Sequence, residues 1–378
     1  MTLQWKNLVA QERIKSVLES AYQNKTLGHA YLFCGERGVG KFAAALDIAS
    51  LLLCQDEKVK PCGVCLSCKK VESYSHPDFH IVMPMLLSPE HKKESALSEL
   101  GWQYAGACAK QRIDDPYKMP EYGGIPDIPV DWMREAASAI QRGAVEGGYN
   151  VTIMDGVESM KKETANAILK TLEEPPPGTV IIALTDRINY VLPTIVSRCQ
   201  VLRFSYLPPE VIGAQLCRRF GVSADDPKIA AAAVGGSLGA AIAEFEADEA
   251  EWYEAAASIW ENCRTGDFAA VSGRVDALGG GGEAYTACQK IFKSLLKLMR
   301  IAFLEKSGAP LNYFKSDINM CRRIELPDTV TPVDAEKFIR LCQEGISALE
   351  SRGNSGLVLV NFLCSLTEML DVKKQQTC

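Results

Sequence analysis

The chain has no long uninterrupted run of apolar residues and no excess of positive charge. No run approaches the roughly 18 to 20 residues that a membrane span needs, and residues 1–15 lack the apolar stretch of a signal peptide. We therefore expect a cytoplasmic protein with no membrane partner. The formal net charge of -6 argues against a protein that coats nucleic acid by bulk electrostatics. A local basic patch, or DNA contact through a partner, stays open.

Length and composition indicate a globular chain with more than one domain. The 378 residues are 47% hydrophobic and 23% charged, and a chain of this length is too long for one hydrophobic core. Fourteen cysteines in a reducing compartment are thiols or metal ligands rather than disulfides. Ten of them are scattered, which is typical of small buried hydrophobic residues.

The first half of the chain alternates short β-rich runs with helical patterns. A helix is predicted at about 41–53, and apolar residues at i, i+3, i+4 and i+7 predict another over 165–172. This alternation predicts a parallel sheet that is covered on both faces. The predicted buried strands are 30–34, 79–82, 151–154, 180–184 and 201–204.

Two further regions differ from this pattern. Residues 86–127 are polar and interrupted by proline and glycine, so we expect an insertion that is helical around 95–110. Its aromatic residues are expected to pack on the domain's own surface, with stacking on a partner as the alternative. Beyond residue 208 the patterns are helical, with amphipathic helices at about 284–305, 332–350 and 356–371.

Residues 35–41, Gly-Glu-Arg-Gly-Val-Gly-Lys, follow a predicted strand and open a predicted helix, which is the context of a phosphate-binding loop. Gly35, Gly38 and Gly40 let the backbone turn its N–H groups toward phosphate oxygens. The helix N-terminus adds partial positive charge, and Lys41 supplies an ammonium group. A chance glycine-rich turn is the alternative, but the flanking strand and helix argue against it.

The residues that would complete an ATPase site are missing. Position 42 should be Ser or Thr, whose hydroxyl binds Mg²⁺, but it is Phe42. Asp155 follows a predicted strand as the acidic metal-site residue should, yet Gly156 stands where hydrolysing P-loop proteins carry a glutamate. Positioning and charge stabilisation supply nearly all of phosphoryl-transfer catalysis, so we expect no ATP hydrolysis. Residual nucleotide binding stays open.

Cys62, Cys65 and Cys68 are spaced as CxxCxxC, and Cys54 lies eight residues earlier. Two-residue gaps let successive sulfurs converge, so four thiolates would complete a closed, tetrahedral Zn²⁺ site of the structural kind. Such a site can fold a short segment that has little core of its own. An iron–sulfur cluster and a redox CxxC are the alternatives. No redox partner signature accompanies the cysteines, and four ligands suit a metal better.

Arg198, within Ser197-Arg198-Cys199, follows a predicted strand and loop near the end of the α/β region. A planar guanidinium in this position is a candidate arginine finger, because it can neutralise transition-state charge on a γ-phosphate bound by an adjacent subunit. An ordinary exposed arginine is the alternative.

Several motifs stand in an order that resembles the clamp-loader family of bacterial DNA polymerase III, which comprises AAA+ proteins of the gamma/tau and delta-prime types. The resemblance covers roughly residues 1–205 and is weaker and architectural beyond them. The motifs are Leu-Val-Ala-Gln at 8–11, His-Ala-Tyr-Leu-Phe at 29–33, the phosphate-binding loop, the four cysteines, His-Pro-Asp at 76–78, Asn-Ala-Ile-Leu-Lys-Thr-Leu-Glu-Glu-Pro-Pro at 166–176, and Ser-Arg-Cys at 197–199.

Within this family the substituted positions favour the delta-prime type. A gamma-type motor keeps the hydroxyl, an acidic pair and a sensor arginine in the lid, where this chain has Phe42, Gly156 and Gly239. The resemblance implies three domains, and the insertion at 86–127 departs from both types. The three implied domains are an α/β AAA+ P-loop domain at 1–205 with an inserted zinc module at 54–68, a small helical lid at 206–270, and an all-α collar at 271–378.

The resemblance also implies how the protein works. Delta-prime subunits lie at one end of a five-membered ring held by collar domains, and Arg198 would reach the ATP of the adjacent gamma-type subunit. With gamma/tau and delta subunits, this hetero-oligomer loads the sliding clamp onto primed DNA for the polymerase holoenzyme. Two alternatives stay open. One is an ATP-hydrolysing motor of the gamma/tau type, and the other is a zinc-dependent DNA-binding regulator with a relic phosphate loop.

Overall fold

The computed structural model describes residues 2–93, 96–120, 122, 126–146, 148–223, 229, 235–246, 250–265, 282–306, 332–350 and 354–374. The chain forms two compact units, each with its own hydrophobic core. The first unit comprises Met1–Pro120, Pro126–Ala224 and Ala232–Glu244, and the second comprises Glu121–Ile125, Asp225–Ala231 and Phe245–Cys378.

The described strands all lie in the first unit. They are β1 (Thr2–Leu3), β2 (Ala30–Cys34), β3 (Val59–Lys60), β4 (Phe79–Val82), β5 (Lys92–Lys93), β6 (Ala96–Leu97), β7 (Asn150–Met154), β8 (Thr179–Thr185) and β9 (Gln200–Arg203). Five of them form one parallel sheet in the order β4-β7-β8-β2-β9. These are the five predicted strands, confirmed to within one residue at either end.

The central strands β2, β7 and β8 are buried along their whole length, so both faces of the sheet are covered as predicted. Because the strands are parallel, their carboxyl ends meet at one edge of the sheet. In the register, Cys34 of β2 lies beside Thr185 of β8, and Met154 of β7 lies beside Ala183. The residues that follow these three strands are therefore neighbours.

Helices cover the sheet and join its strands. The predicted helices around 41–53 and 165–172 are confirmed as α2 and α6. The described helices of the first unit are α1 (Glu12–Gln23), α2 (Lys41–Leu53), α3 (Leu66–Glu72), α4 (Glu99–Asp114), α5 (Val130–Gln141), α6 (Lys162–Glu173), α7 (Pro193–Val196), α8 (Pro209–Phe220) and α9 (Leu238–Glu246).

The helix of the insertion begins later than predicted. We expected it at about 95–110, but α4 begins at Glu99 because Ser98 caps it, its Oγ accepting the N–H of Gly101 at 3.1 Å. The short antiparallel pair β5 and β6 precedes this cap. Tyr104 stacks on His91 with ring centroids 4.5 Å apart, and Tyr117 is buried, so these two pack on their own domain as expected. Trp102 instead has an exposed side chain.

The secondary structure described in the second unit is entirely helical, as predicted. It contains α10 (Ala250–Thr265), α11 (Gly282–Lys306), α12 (Pro332–Glu350) and α13 (Ser355–Lys374). Helix α11 packs on the other three, and the core is closed by aromatic pairs such as Phe292 and Phe362, whose centroids are 4.8 Å apart. Residues 266–281 and 307–331 of the proposed lid and collar lie outside the described residues, and the three-domain division stays a prediction.

No described helix is both long enough and apolar enough to cross a membrane.

A buried carboxylate fastens the N-terminal segment to the sheet domain. Asp47 on α2 is 1% exposed, and its oxygens accept the backbone N–H groups of Asn7 at 3.0 Å and Leu8 at 2.9 Å. The side-chain amide of Asn7 adds a third donor at 2.7 Å. Burial raises the pKa of Asp47, and these donors oppose that shift.

Replacing Asp47 with alanine is expected to lower the free energy of unfolding of the first unit by about 2 to 3 kcal/mol, because buried N–H donors lose a charged acceptor. Denaturant unfolding followed by circular dichroism measures the change. Glu163→Ala, at an exposed position on α6, is the matched control and should fall within about 0.5 kcal/mol of the parent. An equal loss in both variants would contradict the role given to Asp47.

Candidate functional site

The phosphate loop, residues 35–41, joins β2 to α2 at the carboxyl-end edge of the sheet. Gly38 and Gly40 have φ angles of 78° and 105°, a left-handed backbone that favours glycine. The Nζ of Lys41 donates to the carbonyl oxygens of Gly35 at 2.8 Å and Glu36 at 2.7 Å. The ammonium group of Lys41 is therefore bound by carbonyl oxygens of the same loop.

Asp186 completes the surroundings of Lys41. It directly follows β8, and its Oδ1 lies 2.6 Å from the Nζ of Lys41, which is only 6% exposed. Asp186 was not among the site residues predicted from the sequence. The available signal was a charged residue immediately after a central strand of a parallel sheet, the place where such sheets carry their site residues.

Asp155 and Phe42 are joined by an arginine from the insertion. The Nε of Arg112, on α4, donates to Oδ2 of Asp155 at 3.1 Å, and its guanidinium carbon lies 4.4 Å from the centroid of the Phe42 ring. A guanidinium over an aromatic face is favourable, more so when both groups are shielded from water. No local sequence signal identified Arg112, because its role depends on how the insertion folds back.

Gly156 has no room for a side chain. Its φ is 63°, and a Cβ built there would lie 2.7 Å from the ring of Pro84. A glutamate at this position would therefore strain the backbone and collide with Pro84. The acidic residue two positions on, Glu158, accepts the backbone N–H of Asp186 at 3.4 Å, and burial raises the pKa of its carboxyl.

Gly239 is equally confined. It lies near the start of α9, and its N–H donates to the carbonyl oxygen of Gly38 at 3.0 Å. A Cβ on Gly239 would lie 2.6 Å from the carbonyl oxygen of Tyr117 and 2.8 Å from the Cα of Gly38. An arginine cannot occupy this position without moving the phosphate loop.

The four cysteines of the predicted zinc module converge. The sulfurs of Cys54, Cys62, Cys65 and Cys68 all lie within 4.8 Å of one another. The Cys54–Cys65 and Cys62–Cys68 pairs are 3.9 and 4.0 Å apart. A tetrahedral Zn²⁺ with bonds of about 2.3 Å places its sulfurs roughly 3.8 Å apart, so the donor set fits zinc.

Backbone N–H groups support the same cluster. The N–H groups of Cys62, Cys65 and Cys68 point at the sulfurs of Cys54, Cys62 and Cys65 at 3.3 to 3.4 Å. Burial raises the pKa of the Cys65 thiol, but the surrounding donors outweigh it and lower that pKa to about 6. With all four positions filled by sulfur, a bound zinc would be structural, holding β3, α3 and the end of α2 together.

Arg198 lies at the opposite edge of the sheet. It follows α7 and precedes the first residue of β9, whereas the phosphate loop follows the last residue of β2. Its guanidinium pairs with the carboxylate of Glu173 at the end of α6 and donates to the carbonyl oxygen of Thr194 at 2.9 Å. The structure thus brings together residues 35–41 and Asp155, and separates them from Arg198.

The His-Pro-Asp motif at 76–78 has a structural position. Asp78 is fully buried, and its carboxylate accepts the backbone N–H groups of Val145 at 2.6 Å and Glu146 at 2.7 Å. His76 bonds to Ser67 on α3 at 3.2 Å. The motif therefore ties the cysteine module to the loop that precedes β7.

The parallel sheet, the glycine-rich loop between β2 and α2 and the cluster of four cysteines define an α/β protein of the P-loop type. Sequence comparison identifies its family. A family model described as "DNA polymerase III, delta subunit" matches residues 10–208. The chain belongs to this family, the clamp-loader subunits of the delta-prime type with gamma/tau relatives.

Individual relatives agree with this assignment. DNA polymerase III subunit delta' of Bacillus subtilis (strain 168) is 30% identical over 217 residues, which are 57% of this chain and 54% of that protein. The delta' subunit of Haemophilus influenzae is 32% identical over 184 residues, 49% of this chain and 44% of that protein. The chain thus matches about half the length of these relatives.

A gamma/tau subunit and one solved structure are also similar to this chain. The gamma/tau subunit of Mycobacterium tuberculosis (strain H37Rv) is 30% identical over 223 residues, 58% of this chain and 32% of that protein. Among solved structures, a DNA polymerase III gamma subunit-related protein from Thermotoga maritima covers 97% of this chain and is itself covered completely, with 18% identity and a TM-score of 0.39.

Replacing Cys65 with serine, or removing metal with a chelator, is expected to lower the zinc content and unfold the segment from Cys54 to Cys68. Elemental analysis of freshly purified protein should give about one zinc per chain for the parent and a large loss for Cys65→Ser. Cys364→Ser, at an exposed cysteine of α13, is the matched control and should retain the metal. Freshly purified parent protein without zinc would contradict the assignment.

Proposed function

We propose that this chain is a non-hydrolysing subunit of a DNA polymerase III clamp loader, and that it supplies Arg198 to the ATP site of a neighbouring subunit. The observation that supports the proposal is that the phosphate loop and Arg198 lie at opposite ends of the parallel strands. The edge with the phosphate loop lacks the groups for hydrolysis, and the opposite edge presents an arginine at the surface.

The chain's own site keeps the phosphate loop, Lys41 and Asp155 but lacks three other groups that phosphoryl transfer uses. Phe42 has no oxygen for a metal ion, Gly156 cannot carry a carboxylate, and Gly239 cannot be replaced by a sensor arginine. Catalysis of this reaction consists almost entirely of positioning and charge stabilisation, so no single substitution can restore it.

Arg198 cannot serve its own phosphate loop. The first residue of β9, Gln200, lies beside Tyr31 of β2, four residues before the phosphate loop begins, and four strand residues span on the order of 13 Å. The guanidinium is one-third exposed and is held at the surface by Glu173. In a ring of subunits this position suits contact with the γ-phosphate of ATP bound next door, where a planar guanidinium stabilises the transition state.

The remaining parts of the chain fit the same assembly. The second unit exposes large apolar side chains on α12 and α13, Ile339, Leu357 and Val360, a pattern that suits contact with other subunits. We propose gamma/tau and delta subunits as those partners, with zinc in the cysteine module. The sliding clamp and primed DNA would be contacted through the complex.

One observation favours a second candidate, an ATP-hydrolysing motor of the gamma/tau type. Gamma/tau subunits are about as similar to this chain as delta' subunits are, at 30% identity over 223 residues. ATP turnover by the purified chain would support the motor, and its absence would support the non-hydrolysing role. Phe42 and Gly156 lead us to expect its absence.

Replacing Arg198 with alanine in a reconstituted loader is expected to leave assembly intact and to slow DNA-stimulated ATP hydrolysis. Rates at the neighbouring site should fall by on the order of 10³ if the arginine acts as other fingers do. Arg198→Lys should not rescue the rate, because an ammonium cannot reproduce the planar donor pair.

Arg142→Ala, at an exposed arginine paired with Glu135, is the control and should hydrolyse ATP at the parental rate. Unchanged hydrolysis by an assembled Arg198→Ala complex would refute the finger role.

A further inference from the structure

We propose that residues 112–120 of the insertion occupy this chain's own nucleotide site, and that the guanidinium of Arg112 stands where P-loop ATPases hold the magnesium ion. The proposal gives a role to the insertion at 86–127 and goes beyond the function proposed above. It rests on three sets of contacts, at the metal position, at the phosphate loop and at the N-terminal segment.

The metal position is filled by a side chain. P-loop ATPases hold Mg²⁺ between the hydroxyl that follows the loop lysine and the aspartate at the end of another strand of the sheet. These positions are Phe42 and Asp155, and the group between them is the guanidinium of Arg112, bonded to the carboxylate and stacked on the ring. Arg112 is 13% exposed, so its charge replaces that of the ion inside the site.

The stacking explains the aromatic residue at position 42. A serine or threonine would give the metal an oxygen but would leave the guanidinium without a surface to pack on. Phe42 is 1% exposed, so its ring is fixed in place. Phe42 and Arg112 therefore depend on each other for their packing.

Arg112 also fixes the turn that follows α4. Its Nη1 donates to the carbonyl oxygens of Pro116 at 2.6 Å and Lys118 at 3.0 Å. The same turn is tied to α8, because Nη1 of Arg219 donates to Oδ1 of Asp115 at 3.1 Å. The segment is thereby bound on both sides to other parts of the first unit.

The turn then covers the phosphate loop. The hydroxyl of Tyr117 would lie 2.8 Å from a Cβ built on Gly40, so the phenol packs directly on the loop backbone. The Nη2 of Arg37, a loop residue, donates to the carbonyl oxygen of Pro120 at 2.6 Å. A nucleotide phosphate would have to displace these contacts before it reached the loop.

The third contact involves the N-terminal segment, which runs beside the loop. The phenolic oxygen of Tyr117 accepts the backbone N–H of Val9 at 3.0 Å, and Tyr117 is buried. That N–H is therefore already used by the protein itself. The Lys41 ammonium is likewise bound to Asp186, so two of the groups that could recognise a nucleotide already have partners within the chain.

The inference is tested by calorimetric titration of the isolated, full-length chain with ADP, with and without Mg²⁺. Four proteins are compared, the parent, Phe42→Thr, Arg112→Ala and the double variant. Lys110→Ala is the control, because it removes an exposed cation from the same helix. The parent, Phe42→Thr and the control should bind no ADP, and the double variant should gain Mg²⁺-dependent binding at least tenfold tighter than either single variant.

The expected result is non-additive, because a hydroxyl cannot bind a metal while Arg112 fills its place, and an emptied place offers the metal no hydroxyl. Mg²⁺-dependent binding of ADP by the parent, or full recovery in Phe42→Thr alone, would overturn the proposal.

Hydrogen exchange on the parent chain gives a second readout that does not depend on the variants folding. The amide of Val9, which donates to Tyr117, should be protected. Adding ADP with Mg²⁺ should leave the exchange of this amide and of the phosphate-loop amides unchanged. Slower exchange at these amides with ADP would overturn the proposal. Both measurements use the isolated chain, so their outcome is separate from that of the Arg198 variants in the assembled loader.

Discussion

The contact of one guanidinium with an aromatic ring and a carboxylate organises the carboxyl-end edge of the sheet. Arg112 joins Phe42 to Asp155 and, through the carbonyl oxygens that it binds, sets the turn that places Tyr117 on the phosphate loop. Glycine at position 239 belongs to the same arrangement, because a Cβ there would lie 2.6 Å from the carbonyl oxygen of Tyr117. Phe42, Asp155, Gly239 and the turn of the insertion therefore form one packed unit.

The two edges of the sheet have different roles in the function that we propose. At one edge, cations and carboxylates of the chain bind one another, as in the pair of Lys41 and Asp186. At the other, Arg198 is held at the surface by an exposed glutamate. A rigid subunit with its own site closed and an arginine exposed is suited to complete the active site of a neighbour, because it need not change shape with its own nucleotide.

Much of the fold was predictable from the sequence, because hydrophobic runs such as 180–184 and the phosphate loop carry strong local patterns. The convergence of four cysteines was predictable for the same reason, since their spacing is local. Arg112 and Asp186 were not predicted. Arg112 contacts Asp155, which is 43 positions away in the chain, and Asp186 contacts Lys41, which is 145 positions away. Only the folding of the insertion back onto the domain and the register of the sheet bring these residues together.

ATP turnover by a loader that carries Lys41→Ala only in this chain is the most direct measure of which site is used. The ammonium of Lys41 is bound within its own loop and to Asp186, so we predict that DNA-stimulated turnover by the assembled complex is unchanged. A clear fall in turnover by a complete complex would mean that this chain's own loop takes part in hydrolysis, and would contradict the proposed role.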